Sequence, residues 1–544
     1  MGTRHALSIG CKNIIMKKLF LIVLLFSGVF CFAQNKVSPA ETSQKIATTM
    51  YIIDNFYVDS TDMPKITEEA IVAMLKALDP HSTYIAAKDV QKANEGLEGS
   101  FEGIGVTFQI LRDTILVVSA VPGGPSEKVG IMAGDRIVTI DGENAFGKKV
   151  NNEYVTKHLR GKKGTKVVLG IKRGDDPELI DFEIIRDKIP LKSINTYFMI
   201  DKKIGFIKLD QFSKNSVEEF ENALADLRKQ GMKSLIFDLR GNGGGYLQTA
   251  FGLSNEFLES NKTVVYTEGL KSPRTDFNTD LKGNYRDGRL VVLIDEGSAS
   301  ASEIVSGAIQ DWDRGVLIGR RSFGKGLVQR PFNLPDGAQL RLTTARYYTP
   351  TGRCIQRSYE KGTEDYFEEM NKRLKHGEYY HADSIQFPDS LKFYTLNSGR
   401  VVYGGGGIMP DIFMPVDTTY STKLFTNLVR KNIFNAFCID FVLKNREKIN
   451  QDYPNFESFN NKFMVDSVMI EEFKKIAESK GVKWDDEQFA RSESWIKLRI
   501  KAMMAQDLWD VDKFYQVVFK DDKMIQKAVE ILNSKKEYNK LLKK

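Results

Sequence analysis

Apolar residues change their spacing along this chain, and each change predicts a different kind of structure. Between residues 36 and 95, Ile46, Met50, Ile53, Phe56 and Tyr57 recur at roughly helical intervals, which predicts an amphipathic helical region. Leu78-Asp79-Pro80-His81-Ser82-Thr83-Tyr84 breaks that period and predicts a turn. From residue 99 to about 173 the chain turns to short β-runs separated by glycines, at 107–110, 115–118 and 133–137. A helical stretch at 152–159 then precedes a strand at 166–172. A third pattern begins near Tyr197: a strand at 203–209, a helix at 216–230, a buried strand at 234–239, and a strand at 290–294 leading through a serine-rich turn into a helix that ends near Trp312. Strand-turn-helix units of this kind predict a layered α/β core, to which residues 338–348 add a strand. From about 420 to 544 the chain is rich in Lys, Phe, Asn and Glu, has helical periodicity and almost no glycine, and predicts a C-terminal helical region without an assignable motif.

Composition adds limits. At 544 residues there is room for three or four domains, and the net charge of +7 is small for that length. The lysines from 520 to 544 alternate with acids and apolar residues, so they read as a solvated helix face, and nucleic acid is not an expected partner. Met16-Lys17-Lys18 followed by an apolar run to Phe32 predicts a secretory signal peptide ending near Ala33, with Met16 as the better start. The expected location is therefore exported and periplasmic, with membrane association left open. Cys31 would suit lipid attachment, but Phe30 is bulky where a small residue is expected. The signal removed, Cys354 and Cys438 remain, too few for a disulfide framework, and whether they pair stays open. His81, His158, His376 and His381 show no metal spacing, so neither a metal nor another cofactor is expected.

The chemistry lies in two short segments. Ser298-Ala299-Ser300-Ala301-Ser302-Glu303 is followed by Phe323-Gly324-Lys325-Gly326-Leu327-Val328-Gln329. A serine hydroxyl needs a base to become a nucleophile, and lysine serves as that base when burial keeps it neutral. Phe323 and Val328 can supply an apolar wall for Lys325, and Gln329 can hold its amine. Residues 319–325 also spell most of a phosphate-binding loop, but Gly326 stands where Ser or Thr is required, which rejects a nucleotide site. The glycine run at 243–245, after the buried strand 234–239, lets backbone N–H groups approach a developing oxyanion.

These segments resemble the catalytic region of the C-terminal processing peptidases, also called tail-specific proteases, over roughly residues 45 to 415. In that family the middle serine of Ser-Ala-Ser-Ala-Ser-Glu-Ile is the nucleophile, and the lysine lies 25 positions downstream, which selects Ser300 and Lys325. The resemblance implies Gln329 as third catalytic residue and Gly244 with Ala301 as oxyanion donors, while the glycine run itself leaves open whether Gly244 or Gly245 points inward. It also covers Asp79-Pro80-His81-Ser82 and the glycine-rich 404–415 segment that closes the core. The fold class it implies is a multidomain α+β and α/β protein: a crotonase-like protease core, a β-rich PDZ domain, and helical N- and C-terminal regions. The order of elements from 99 to 173 resembles a PDZ domain, whose glycine loop would hold a peptide carboxylate at Gly103, Ile104, Gly105 and Val106, with Phe108 at the side-chain pocket. A ligand-free small β-barrel is the alternative there.

The expected organisation is a signal peptide at 1–33, a helical region at 36–95, the PDZ domain at 96–175, the peptidase core at 190–418 and a helical domain at 419–544. The expected function is an exported serine endopeptidase that captures the C-terminal tails of protein or peptide substrates and cleaves through an acyl-enzyme. The alternatives are a noncatalytic PDZ scaffold, disfavoured because no catalytic position is replaced, and a crotonase-like acyl-thioester enzyme, disfavoured by the signal peptide and the PDZ-like module. An adaptor protein and a homo-oligomer through the C-terminal helices remain open.

Overall fold

The segments Ser234–Asp238 and Arg289–Ile294 are apolar on successive positions rather than alternate ones, as strands buried on both faces must be. In the computed structural model, which describes residues 38–111, 113–174, 176–280 and 283–543, both are central strands of one sheet. The signal-peptide segment, with Met16, Cys31 and Ala33, lies outside the described residues.

That sheet has six strands in the order Thr196–Met199, Ile204–Lys208, Ser234–Asp238, Arg289–Ile294, Val316–Gly319 and Ile412–Phe413. The first pair is antiparallel and the rest are parallel. The helices Ser216–Lys229, Leu247–Phe257 and Ala301–Asp311 cover one face, packing Phe220, Phe257, Ile304 and Ile309 against Leu235, Phe237, Leu290 and Val292. On the other face Ile236, Val291, Leu293 and Ile318 meet Met524, Ile525, Ala528, Ile531 and Leu532 of the helix Lys523–Asn533. Tyr538 fixes that cover: its hydroxyl accepts from Leu290 N at 3.0 Å and donates to Leu290 O at 3.2 Å.

This arrangement corrects the expected single domain from 419 onward. Residues 424–518 build a core of their own, around Leu428, Phe437, Phe473, Ile496 and Ile500. The helices Lys523–Asn533 and Lys535–Leu541 belong instead to the peptidase sheet, because its second face would otherwise expose a row of valine, leucine and isoleucine side chains.

A second, antiparallel sheet joins Thr83–Ile85, Gln339–Tyr348, Thr263–Gly269 and Ser272–Asn278, with Leu327–Asn333 paired to Gln339–Tyr348. The PDZ-like sheet runs Val106–Leu111, Thr114–Ala120, Arg136–Ile140, Lys166–Lys172 and Ile180–Ile185, around Ile115, Val117, Ile137, Val155 and Leu169. Its last strand lies beyond residue 175, so this domain is longer than expected; Asp181 and Glu183, which interrupt the apolar pattern there, face outward. Ser100–Gly103 and Asp187–Pro190, the two connections to the core, pair with each other. Near residue 39 the chain starts a helix, Pro39–Phe56, through reciprocal bonds between Ser38 and Glu41, and none of that helix is buried. Among the described residues no helix is long and apolar enough to cross a membrane.

Candidate active site

Two loops leave the carboxyl ends of adjacent parallel strands, the usual place for a site in such a sheet. The first, residues 239–245, follows Ser234–Asp238; the second, residues 295–300, follows Arg289–Ile294. They are laced together: Ser298 Oγ donates to Leu239 O at 2.8 Å, Ser302 Oγ to Asn242 O at 2.8 Å, and Ala299 N to Asn242 O at 3.0 Å. Ser298 and Ser302, the two serines not chosen as nucleophile, are therefore engaged in holding the turn.

Ser300 sits at the tip, immediately before the helix Ala301–Asp311, with φ 55° and ψ −111°. That conformation is costly for any residue with a Cβ, on the order of 1–3 kcal/mol, and is held only where neighbours over-determine it. The principal neighbour is Glu303. Its carboxylate is fully buried and accepts four hydrogen bonds: from Ser300 N at 2.8 Å, Lys325 N at 2.9 Å, Gly324 N at 2.7 Å and Ser322 Oγ at 2.5 Å. Burial pushes its pKa up, and these donors oppose the rise. One carboxylate thus joins the serine turn to the lysine segment. Tyr347, also fully buried, joins them again, its hydroxyl lying between Ser300 O (3.1 Å) and Lys325 O.

Lys325 is largely buried, and the loss of solvent lowers its pKa below the usual lysine value; Glu303 and Asp79 oppose that shift, while Arg341 adds to it. Phe323 turns its ring under the Arg357 guanidinium, 4.2 Å away, and Val328 packs on the main core. Gln329 donates through Nε2 to Thr343 Oγ1 at 3.2 Å, and Thr343 Oγ1 donates to Asp79 Oδ1 at 3.1 Å. Asp79 also accepts from Ser82 Oγ at 2.5 Å and from the backbone of His81 and Ser82 at 2.8 Å each. The turn at 78–84 is therefore part of the site, anchored by the Thr83–Ile85 strand to Gln339–Tyr348. His81 meets Tyr366 Oη through Nε2 at 2.9 Å, and burial, helped by the Lys325 charge, pushes its pKa down to about 4. It is neutral at ordinary pH.

Of the two residues expected to hold an oxyanion, Ala301 has a backbone N–H with no acceptor among the described residues. Gly244 lies against the serine, since a Cβ built there would stand 2.9 Å from Ser300 Cβ and 3.0 Å from Ala301 N, with φ +102°. Its N–H was expected to be open to an oxyanion; instead it donates to Asn242 Oδ1 at 2.9 Å. The side chain of Asn242, fully buried between Leu209 O and Gly244 N, closes the turn two residues on, as asparagine does in loops.

In the PDZ-like domain, Gly103 ends the Ser100–Gly103 strand, Ile104 is buried, and its carbonyl accepts from Ser126 N (3.0 Å) and Ser126 Oγ (2.7 Å). Gly105 has φ +74°, and a Cβ there would meet Ile189 Cδ1 at 3.0 Å. Val106 opens the edge strand, which has one ladder partner in its sheet, leaving the other side for an added strand. Cys354 and Cys438 are free thiols.

Tyr347 and Thr343 do not stand out in the sequence, and Glu303 and Asp79 stand there only inside longer motifs, with no role of their own. A trace of Glu303 was present, because Ser300-x-x-Glu303 is the pattern of a capping box. Tyr347 and Thr343 carried no local signal, since their roles depend on strand pairing far along the chain.

The model of the family described as peptidase family S41 matches residues 203–365, a PDZ domain model matches 103–184, and a family of unknown function matches 424–510. A probable CtpA-like serine protease of Staphylococcus aureus (strain COL) is 33% identical over 350 residues, covering 63% of this chain and 69% of the relative. The carboxy-terminal processing protease CtpB of Bacillus subtilis (strain 168) is 33% identical over 366 residues, covering 66% and 73%. Among solved structures, a photosystem II D1 C-terminal processing protease is 28% identical and covers 57% of this chain and 89% of that one, with a TM-score of 0.33. With the Ser-Lys segments joined through one buried carboxylate and a PDZ domain inserted before them, the chain belongs to peptidase family S41, as a C-terminal processing serine protease.

Proposed function

We propose that Ser300 is the nucleophile, Lys325 its general base and acid, and Gln329 the residue that positions the lysine. The observation that carries this reading is the shared clamp. Glu303 and Tyr347 each bind both the Ser300 and the Lys325 backbone, while burial lowers the lysine pKa toward the neutral form a base requires.

The PDZ domain takes the C-terminal tail of a protein substrate as an added strand along Val106–Leu111, with the carboxylate at the N–H groups of residues 103–106. In the core, Lys325 Nζ removes the proton of Ser300 Oγ as the Oγ–C bond forms. The carbonyl oxygen becomes an anion, held by Ala301 N and, once Asn242 Oδ1 releases it, by Gly244 N. The C–N bond then breaks as Lys325 returns the proton to the leaving amine, and water hydrolyses the ester. Lys17, Lys18 and the apolar run that follows support export to a periplasm, where the substrates would be met.

The test is cleavage of an unstructured protein with a free, apolar C-terminus by wild type, Ser300→Ala and Lys325→Ala. Loss of turnover by orders of magnitude in both variants is expected. Cleavage at the wild-type rate by either one would overturn the assignment.

A further inference from the structure

A cavity of about 890 Å³ opens between the carboxyl edge of the peptidase sheet and the C-terminal helices. Its volume is in the range of small-molecule sites. One wall is aromatic: Tyr420 and Trp495 stack with ring centres 5.7 Å apart and planes 4° from parallel, and Phe514 and Tyr515 also line the space. The charged groups at the sheet edge are mostly spoken for. Arg240 is held by Asp238 and Asp522 at 2.7 Å each, Arg320 by Glu296 at 2.7 Å, and Lys523 by Asp417 at 2.8 Å.

Arg499 is the exception. It lines the cavity and is half-buried, and it donates no hydrogen bond to any described residue; its Nε is fully enclosed without a partner. Its guanidinium lies 5.3 Å over the Phe434 ring, and burial lowers its pKa, opposed by the Cys438 thiol. A buried guanidinium without an anion is a cost the fold carries. Arg430, on the helix that packs beside it, also lines the cavity and among the described residues has only Asn427 Oδ1, at 3.4 Å, as a hydrogen-bond partner.

We propose that this cavity is a binding site for a small organic carboxylate with an apolar body, the carboxylate on Arg499 and the apolar part against the Tyr420–Trp495 pair. The chemistry fits two sources, a medium-chain fatty acid and the free end of a short apolar peptide. The cavity lining does not include Ser300, yet it includes Gly241 and Asp295, one from each catalytic loop, which are bonded to each other at 2.8 Å. An occupant therefore rests against those loops.

Trp495 provides a local reporter. The full chain is titrated with decanoate in one arm and with N-acetyl-Leu-Ala-Ala bearing a free carboxylate in the other, each beside its amide. Emission is compared with that of Trp495→Phe, so that capture at the PDZ domain, which has no tryptophan, does not count. The expected result is a saturable Trp495 response to a carboxylate in at least one arm, with the amide at least about tenfold weaker, and a similar loss in Arg499→Met. The arm that responds identifies the source. Val429→Trp, at an exposed position lining the cavity, obstructs it without removing a buried charge and is expected to abolish the response in a Trp495→Phe-corrected titration. No saturable response in either arm, or one that Arg499→Met and Val429→Trp both leave unchanged, would overturn the proposal.

Discussion

Replacing Glu303 by glutamine separates the two things this carboxylate does. Its Oε1 accepts from Ser322 Oγ and Gly324 N, and its Oε2 from Ser300 N and Lys325 N. An amide keeps one oxygen and turns two N–H donors toward the other pair. Whichever way it sits, two donors in a fully buried position lose their acceptor. At about 1–3 kcal/mol for each stranded donor, Glu303→Gln should cost about 2–6 kcal/mol of stability. That is a large part of what a typical domain possesses. A displacement of the nucleophile by about 1 Å would further lower kcat by about 100-fold. The charge effect runs the other way. Glu303 raises the Lys325 pKa, so its neutralisation lets that pKa fall further, and the acid limb of the kcat/KM profile, where Lys325 must lose its proton to act as base, moves to lower pH. The experiment pairs urea unfolding of the purified variant with cleavage measured from pH 5 to pH 10. A variant as stable as wild type, with its pH limb unmoved, would refute the idea that Glu303 joins the two catalytic segments.

Other expectations concern single contacts. Ser300→Gly removes the Cβ from a left-handed conformation and is expected to raise thermal stability by on the order of 1 kcal/mol, while abolishing cleavage; Ser300→Ala, which keeps the Cβ, abolishes cleavage without that gain. Asp79→Asn weakens the acceptor beneath Thr343 and Gln329, so kcat should fall about tenfold with KM little changed, measured on a tail-bearing substrate. Gly105→Val places a side chain at φ +74° against Ile189 and should weaken tail-dependent cleavage, leaving an internal fluorogenic peptide that does not need the PDZ domain unaffected. His81 has a folded pKa of about 4, below its ordinary 6.5, so the folded protein binds fewer protons than the unfolded one between these values. Its contribution is intact above pH 6.5 and lost as the pH falls toward 4, on the order of 1–3 kcal/mol; His81→Asn should flatten that part of the stability profile.

The sequence pointed to the parts of this enzyme whose cause is local. The buried strands 234–238 and 289–294 announce themselves by unbroken apolar runs, and Ser300 and Lys325 each stand in a short local motif of serines or glycines. What escaped was set by partners distant in the chain. Asp79 reads as an ordinary turn residue until Thr83–Ile85 pairs with Gln339–Tyr348 and brings Thr343 over it. The role of Tyr347 depends on the same strand. Gly244 lies beside Ser300, but the direction of its N–H depends on Asn242, a side-chain choice that no pattern of glycines encodes. The division of the C-terminal helices failed for a related reason: amphipathic periodicity says that a helix has an apolar face, not which surface will receive it.

The helices that cover the second face of the catalytic sheet are made long after the nucleophile. On the ribosome, Ser300 and Lys325 emerge while Ile236, Val291, Leu293 and Ile318 still lack Met524, Ile525, Ile531 and Leu532. Until that cover is synthesised, the strands that carry both catalytic loops present a bare apolar face, so the sheet is incomplete and exposed to misassociation. Order of synthesis thus acts as a delay on maturation: a chain stalled or truncated before residue 523 contains every catalytic residue yet lacks the surface that fixes them in place.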